Sequence, residues 1–534
     1  MKRSPALLVR KLTCVCAIVL GVSSMTSPSF ADTQTKSSVL RLANAGEPET
    51  LDPHRYNLRL EETLLNDLFM GLTTFDARGN IVPGAAKSWS TSSDGLTWTF
   101  KLRTDLKWSD GQSLTADDFV FAFQRLQNPD TAASLAYFMD MLDNAPAVNR
   151  GDLPLEALGV RADGPHTLIL TLSRPYPYLL ERLLYPTAYP VPRHSIERHG
   201  DAWVKAANWV SNGAYTLREW QPQAHVALLA NPHFIEPVAI QEVYYHPVVN
   251  EQSAYNRFRN KELHVIGSFP VGELGHARER LADSLRLSDL LSMMYLVFNT
   301  STPPFDKLPV RQALSMAIDQ RILTDQVLRS GNKPAFSFAP ALLEGYEPVQ
   351  LPHTDIAYAE RLATARQLLA DAGYSKAAPL RLELRHVSGI DGKKVNLAIA
   401  GMWQQLGVQT VLQQADLRNH FAQLRQGNFQ VAWAGWVGEN NPEHYLTLLQ
   451  SDIGSVNYGR FEHSDYDAQL KVAQAQTSIA ARNQALQIAE AIVVNAYAVV
   501  PLYSTSVRRL VDPRLQGWFE NGRDIHQVRY LSWP

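Results

Sequence analysis

The sequence predicts an α/β protein of mixed sheets flanked by helices, divided into more than one domain. Three observations carry this. Segments with the two-residue period of a strand and the 3.6-residue period of a helix interleave along the chain without a clean strand-helix-strand rhythm, which argues against a barrel. The 534 residues exceed what a single core of roughly 250–300 residues accommodates. No Gly/Ser linker, repeat or low-complexity tract separates the parts, so a division into domains is expected to involve chain crossings between lobes.

The N-terminus is set apart from the rest. Residues 1–31 read as a secretory signal: Lys2, Arg3, Arg10 and Lys11 are basic, 12–22 is apolar, and Ser29-Phe30-Ala31 is a small-x-small cleavage site. The apolar run is about half the roughly 20 residues a membrane span requires. Cys14 and Cys16, the two cysteines of the chain, both lie in this segment, and neither has the Leu-small-small-Cys context of a lipoprotein. Cleavage after Ala31 takes away both cysteines and four basic residues but no acid, so the formal charge moves from −2 to −6. An exported chain without a thiol excludes disulfide scaffolds, Cys-ligated metals and thiol nucleophiles. A mildly acidic chain without a basic run is a poor partner for nucleic acid or anionic lipid. The longest later apolar stretch, 491–503, is broken by Asn495 and Pro501 and reads as a helix end running into a strand.

Taken in order, 96–103 alternates strictly, as a strand with one buried face does. Thr115 followed by Asp118 resembles a capping box that opens a helix through Phe119 and Phe123 to about Leu126. Residues 166–173 form a second alternating strand with Leu168, Leu170 and Leu172 on one side. Pro309 suits the first turn of a helix continuing through Ala313, Ala317, Ile318 and Ile322. Another helix is expected from Thr354-Asp355 to Gly373, a natural C′ glycine. Residues 429–436 read as a buried strand leading into the turn-like Gly438-Glu439-Asn440-Asn441-Pro442.

Catalytic patterns are missing. There is no Gly-x-Ser-x-Gly, no phosphate-binding loop, no Gly-x-Gly-x-x-Gly and no His-Glu-x-x-His. Of fifteen histidines, the closest pair, His194 and His199, is five apart, the wrong spacing for one helix face. Asp117-Asp118 and Glu61-Glu62 are adjacent carboxylates that project apart, as capping or solvated groups do. A glycosidase pair distant in sequence would leave no local pattern. Aromatics do gather at one place: Trp433 and Trp436 flank Ala434-Gly435, with Glu439 three residues on. On a strand the two tryptophans face opposite sides, so one can be core while the other faces a cleft. A carboxylate beside such an aromatic suits a ligand ammonium; the same residues also fit a core tryptophan beside a surface glutamate.

A run of motifs, in order, carries a resemblance. They are Glu47-Pro48-Glu49-Thr50-Leu51-Asp52-Pro53-His54, Asp67-Leu68-Phe69-Met70-Gly71-Leu72, Ala86-Lys87-Ser88-Trp89, Trp108-Ser109-Asp110-Gly111, Val210-Ser211-Asn212-Gly213-Ala214-Tyr215, Val310-Arg311-Gln312-Ala313, Ala372-Gly373-Tyr374, Ala434-Gly435-Trp436 and Val500-Pro501-Leu502-Tyr503. With them the chain resembles the family-5 extracytoplasmic solute-binding proteins of ABC importers, and most of all their oligopeptide-binding branch. The resemblance implies a two-lobed periplasmic-binding-protein fold of type II, with a hinge between lobes. Lobe I would gather 32–73, 190–291 and 504–534, an extra small domain 74–189, and lobe III 292–503. It implies a periplasmic monomer that captures oligopeptides by hinge closure and delivers them to an inner-membrane permease, without spanning the membrane itself and with no cofactor or metal.

In peptide-binding relatives the loop after Gly-Trp carries the acid that meets the peptide α-ammonium. Here that is Glu439, with Trp436, Val437, Gly438 and Asn440 around it. The resemblance also implies that Glu61 lines the opposite wall, with Tyr295 and Tyr137 as further lining residues. Two departures stand out. Relatives have Asp-Tyr where this chain has Glu439-Asn440, in a loop one residue shorter. Trp433 replaces an arginine that can meet a peptide carboxylate, leaving Arg425 as a substitute or as a surface residue. A non-peptide solute such as an oligosaccharide, opine or metal chelate is the alternative within the family, and an exported hydrolase the alternative outside it.

Overall fold

A computed structural model describes residues 39–534; the signal-like segment 1–31, with Cys14 and Cys16, lies outside the described residues. Two large mixed sheets organise the chain. The first has seven strands in the order Leu285–Asp289, Ser506–Val511, Val265–Ile266, Val39–Asn44, Glu242–Pro247, His225–Ala230 and Tyr215–Gln221. Val39–Asn44 runs parallel to both neighbours, and the other pairs are antiparallel. The second has six, ordered Lys333–Pro334, Val499–Ser504, Ser292–Phe298, Val431–Val437, Arg381–Val387 and Gln409–Ala415. A four-stranded antiparallel sheet is made of Ala86–Thr91, Thr97–Leu102, Thr167–Thr171 and Val160–Ala162, and Thr73–Phe75 pairs with Ile81–Pro83.

Each face of the six-stranded sheet is buried under its own core, and the chain passes between the two large sheets at two places. Those crossings are bonded to each other. Leu290 N–H donates to Thr505 O (2.9 Å), Thr505 N–H donates to Ser292 Oγ (2.9 Å), and the hydroxyls of Ser292 and Thr505 lie 2.7 Å apart.

Locally encoded elements form as their residues dictate. Thr97–Leu102 and Thr167–Thr171 pair with each other. In helix Ala116–Gln127, Thr115 N–H donates to Asp118 Oδ2 at 2.8 Å, the back-bond of a capping box. Gly373 takes φ +94° after helix Tyr358–Asp371, and helix Ile479–Ala496 runs into strand Val499–Ser504.

Two boundaries differ from expectation. The helix at Pro309 is Leu308–Met316 and stops short of Ile318 and Ile322. Asp319 Oδ1 accepts from the N–H groups of Arg321 and Ile322 and starts a separate π-helical turn, Ile322–Leu328, so a side chain competes with the backbone ladder. The helix ending at Gly373 begins at Tyr358, because the Thr354 hydroxyl is used on Leu351 O in the preceding turn.

Two buried acids make stability depend on pH. Burial pushes Glu490 up to about 7, against the N–H groups of Val349 and Ala339 and the hydroxyl of Tyr346. Burial pushes Asp67 up to about 6, against the Tyr245 hydroxyl and Val528 N–H. The folded chain therefore holds these protons more tightly than the unfolded chain. Their stabilising effect is complete below the ordinary carboxylate range and is lost as pH rises through 6 and 7. Buried histidines held neutral, His54 and His444 at about 3 and His353 at about 4, gain stability over the same range, so the acid shows in a difference: the urea midpoint of Glu490→Gln minus that of wild type is expected to rise between about pH 5 and 7.5, and a difference that stays flat would exclude Glu490 as a source.

Candidate functional site

The strand Val431–Val437 pairs antiparallel with Ser292–Phe298, with Trp433 opposite Leu296 and Trp436 opposite Met293. The two tryptophans pack into the cores on opposite faces of the sheet. At Gly435 an added Cβ would lie 2.4 Å from Met294 Sδ, so a larger residue there would push the Met294 side chain aside. On its other edge the strand pairs with Arg381–Val387 only at Val431 and Ala432. Trp433 O accepts from His420 Nε2 at 2.8 Å. Among the described residues no strand pairs with the edge of Ala434, Gly435, Trp436 and Val437, and Val437 is exposed.

The loop that follows is pinned at its root. Gly438 N–H (2.9 Å) and Tyr445 Oη (2.8 Å) both donate to Leu291 O, at the first crossing between sheets. Glu439 N–H donates to His444 Nδ1 at 3.1 Å, so that nitrogen carries no proton. Burial, with Arg182 nearby, pushes His444 down to about 3 and keeps the ring neutral. Asn440 clasps Glu344, accepting from its N–H (2.8 Å) and donating to its carboxylate (2.9 Å).

The Glu439 carboxylate is 1 % exposed and faces the short helix Leu179–Arg182. Arg182 Nη1 lies 2.7 Å from Glu439 Oε1, an ion contact without the alignment of a hydrogen bond. Burial raises the Glu439 pKa, and Arg182 and Arg523 partly counter it. The neighbouring Glu181 accepts from Asn440 N–H in the same loop (3.4 Å) and from Nη1 and Nη2 of Arg523, Nη2 at 2.9 Å. Arg59 opens helix Arg59–Leu68 and donates to the backbone oxygens of Arg523 and Asp524, with Glu62 at 3.6 Å. Burial raises the Glu62 pKa, partly offset by Arg59.

These groups surround two cavities. The larger, about 250 Å³, lies over the C-terminal ends of Val39–Asn44 and Val265–Ile266, the crevice position usual for ligands of α/β sheets. The smaller, about 30 Å³, lies between Glu439, Glu181, Tyr185 and Arg523. Arg59, Glu62 and Ile525 line both.

Several residues expected in the site therefore change place. Glu61 points away from the cleft: its carboxylate accepts from the N–H groups of Glu49 (2.7 Å), Thr50 (3.2 Å), Asn57 (2.9 Å) and Leu58 (3.0 Å). It ties the loop before the helix to the helix start, and its neighbour Glu62 faces the cavities. Glu61→Ala orphans four N–H groups and is expected to cost about 2–4 kcal/mol, read as a lower urea midpoint. Tyr295 is core, 2 % exposed with Phe338 edge-on at 5.2 Å. Arg425 is an exposed residue in the last turn of Leu417–Gln426, with its carbonyl on Arg460. Tyr137 is exposed and close enough to Arg182 and Glu439 for both to act on its hydroxyl. The Glu439 carboxylate, expected to wait for a ligand ammonium, already has a cation. Arg182, Glu181, Arg59 and Arg523 went unread in the sequence, although Glu181-Arg182 interrupts the apolar run Leu179-Leu180 … Leu183-Leu184, and Glu62 was read only as a capping or solvated group.

Comparison with known proteins gives the family of the chain. Residues 80–455 match the bacterial extracellular solute-binding proteins, family 5 Middle. The periplasmic murein peptide-binding protein MppA of Escherichia coli K12 is 33 % identical over 530 residues, covering 97 % of this chain and 98 % of that protein. Among solved structures, the unliganded open form of the MppA murein tripeptide binding protein superposes with a TM-score of 0.85 at 33 % identity, covering 93 % of this chain and 98 % of that one. OppA of Haemophilus influenzae, in complex with the peptide RPPGFSPFR, gives 0.75 at 30 %, covering 93 % and 99 %. The chain belongs to family 5 of the bacterial extracellular solute-binding proteins.

Proposed function

We propose that this protein captures oligopeptides in the periplasm and delivers them to an ABC permease, making and breaking no bond. The observation that carries this reading is the unpaired edge of Ala434–Gly435–Trp436–Val437, which ends at the buried Glu439 beside the two cavities. An extended peptide adds to such an edge as a strand. Main-chain bonds then give affinity independent of sequence, and the cavities receive side chains. Bridging water lets those cavities accept different side chains at little cost.

The two crossings at 290–292 and 504–506 are the hinge on this reading. Lobe I comprises 32–73, 190–291 and 504–534, the extra domain 74–189, and lobe III 292–503. Closure about the hinge buries the ligand and gives the permease a shape to recognise. The mature protein starts at Asp32 and works as a monomer. The relatives named for peptides support the ligand class.

The test is native mass spectrometry of the protein as purified, followed by denaturing release. A spread of added masses that resolves into intact short peptides is expected. One discrete mass that does not sequence as a peptide would replace the reading with a non-peptide solute, and cleavage of offered peptides by clean protein would replace it with a hydrolase.

A further inference from the structure

We infer that the larger cavity is a pocket for a basic side chain of the ligand, with Glu62 as the carboxylate that receives its cation. The inference rests on the peptide reading above and names a side chain that such a peptide carries.

Helix Arg59–Leu68 presents Glu62 from its first turn to both cavities, and the residue is 8 % exposed. Side-chain oxygens this buried ordinarily have hydrogen-bond donors. The adjacent Glu61 accepts from four N–H groups. Among the described residues none donates to the Glu62 carboxylate, and the nearest cation, Arg59 Nη1, stands 3.6 Å away. Arg59 is turned to other partners, since its Nη2 donates to the backbone oxygens of Arg523 and Asp524. Burial raises the Glu62 pKa; Arg59 offsets part of that and Asp524 adds to it. The carboxylate lacks both a donor and a full counter-ion.

The rest of the cavity supplies no cation for that place. Arg509 Nη2 donates to Asp524 Oδ1, and Glu251 adds another carboxylate at the exposed rim. Burial lowers the His526 pKa, so its ring adds no charge at neutral pH. Three carboxylates thus face two guanidiniums, and one entering positive charge restores the balance. The walls suit the remainder of such a side chain. Leu42, Val265 and Ile525 offer apolar surface to a methylene stem, which lysine and arginine bury while the charged head keeps polar company. The volume of about 250 Å³ holds more than about ten waters, ample room for either side chain. Glu439 does not line this cavity, so the pocket does not compete with a peptide α-ammonium for that carboxylate.

The experiment uses tetra-alanine with lysine or norleucine placed at each position in turn, titrated onto the unliganded full-length mature protein and read by native mass spectrometry. Norleucine has the stem of lysine without the ammonium. At one position lysine is expected to fill the wild type at a concentration at least about tenfold lower than norleucine. Glu62→Gln keeps the shape and removes the charge, and is expected to bring the two within about threefold. A wild type that favours lysine at no position overturns the inference. So does a folded Glu62→Gln protein that keeps the preference, because the cation then has another partner. If Glu62→Gln does not fold, Glu62→Met takes its place, and if neither folds the wild-type scan decides alone. Failure of every peptide, with lysine or norleucine, to bind wild type overturns the peptide reading itself, and this inference with it.

Discussion

Arg482→Met is expected to lower folding stability by about 3–5 kcal/mol, the cost of leaving a buried carboxylate without its partner. Arg482 has no exposed side-chain surface, and its Nε (2.8 Å) and Nη2 (2.6 Å) both donate to Glu443 Oε2. Its guanidinium also lies 5.8 Å from the ring centroids of Tyr176 and Tyr178, and Tyr178 Oη donates to Asn483 at 2.8 Å. Helix Ile479–Ala496 is thereby fastened to the segment that leads into Leu179–Arg182. Methionine keeps much of the volume and loses every polar contact, so the deficit reports the buried charge more than a cavity. The check is urea unfolding followed by tryptophan fluorescence, with the double variant Arg482→Met/Glu443→Leu alongside. Removing both charges is expected to recover most of the loss. A single variant within about 1 kcal/mol of wild type would show that Glu443 finds enough compensation from Arg174, 3.9 Å away.

How much of this was legible in the sequence depended on the range of the forces involved. The capping bond of Asp118, the glycine at 373 and the opposed faces of Trp433 and Trp436 are set by residues within a few positions of one another, and the sequence displays them. Glu61 and Glu62 were harder. A capping box is read from Ser or Thr at the N-cap, but here Leu58 holds that place, and only the packed loop at 49–50 shows where the Glu61 carboxylate goes. Tyr295 misled because all seven residues of Ser292–Phe298 are buried, so alternation along that strand distinguishes no cleft face. The partnership of Arg182 with Glu439 spans the chain from a helix of the extra segment to a loop beyond the six-stranded sheet, and no local pattern encodes it. Two charges inside an apolar run were its one visible trace.

Gly438→Ala is expected to lower ligand affinity by about ten- to a hundredfold while the protein stays folded. A Cβ at this position would lie 2.7 Å from Tyr445 Cζ and 2.8 Å from its Oη. The ring cannot step aside easily: Tyr445 is fully buried, and its hydroxyl is bonded to Leu291 O, the same oxygen that anchors Gly438 N–H. The strand end must move instead, and with it the start of the Glu439 loop. Such overpacking costs about 1–3 kcal/mol in stability, too little to unfold a chain with cores this extensive. On the peptide reading proposed above, the edge of Trp436 and Val437 then loses its register with a bound peptide. Titration with a randomised pool of tri- to pentapeptides, read by native mass spectrometry, measures the loss. The companion variant Gly438→Ala/Tyr445→Leu takes away the ring atoms that the new methyl strikes, and is expected to regain part of the affinity despite a smaller core side chain. If the double variant binds no better than Gly438→Ala, the clash with Tyr445 is not what positions the loop, and the site owes its geometry to the clasp of Asn440 on Glu344 instead.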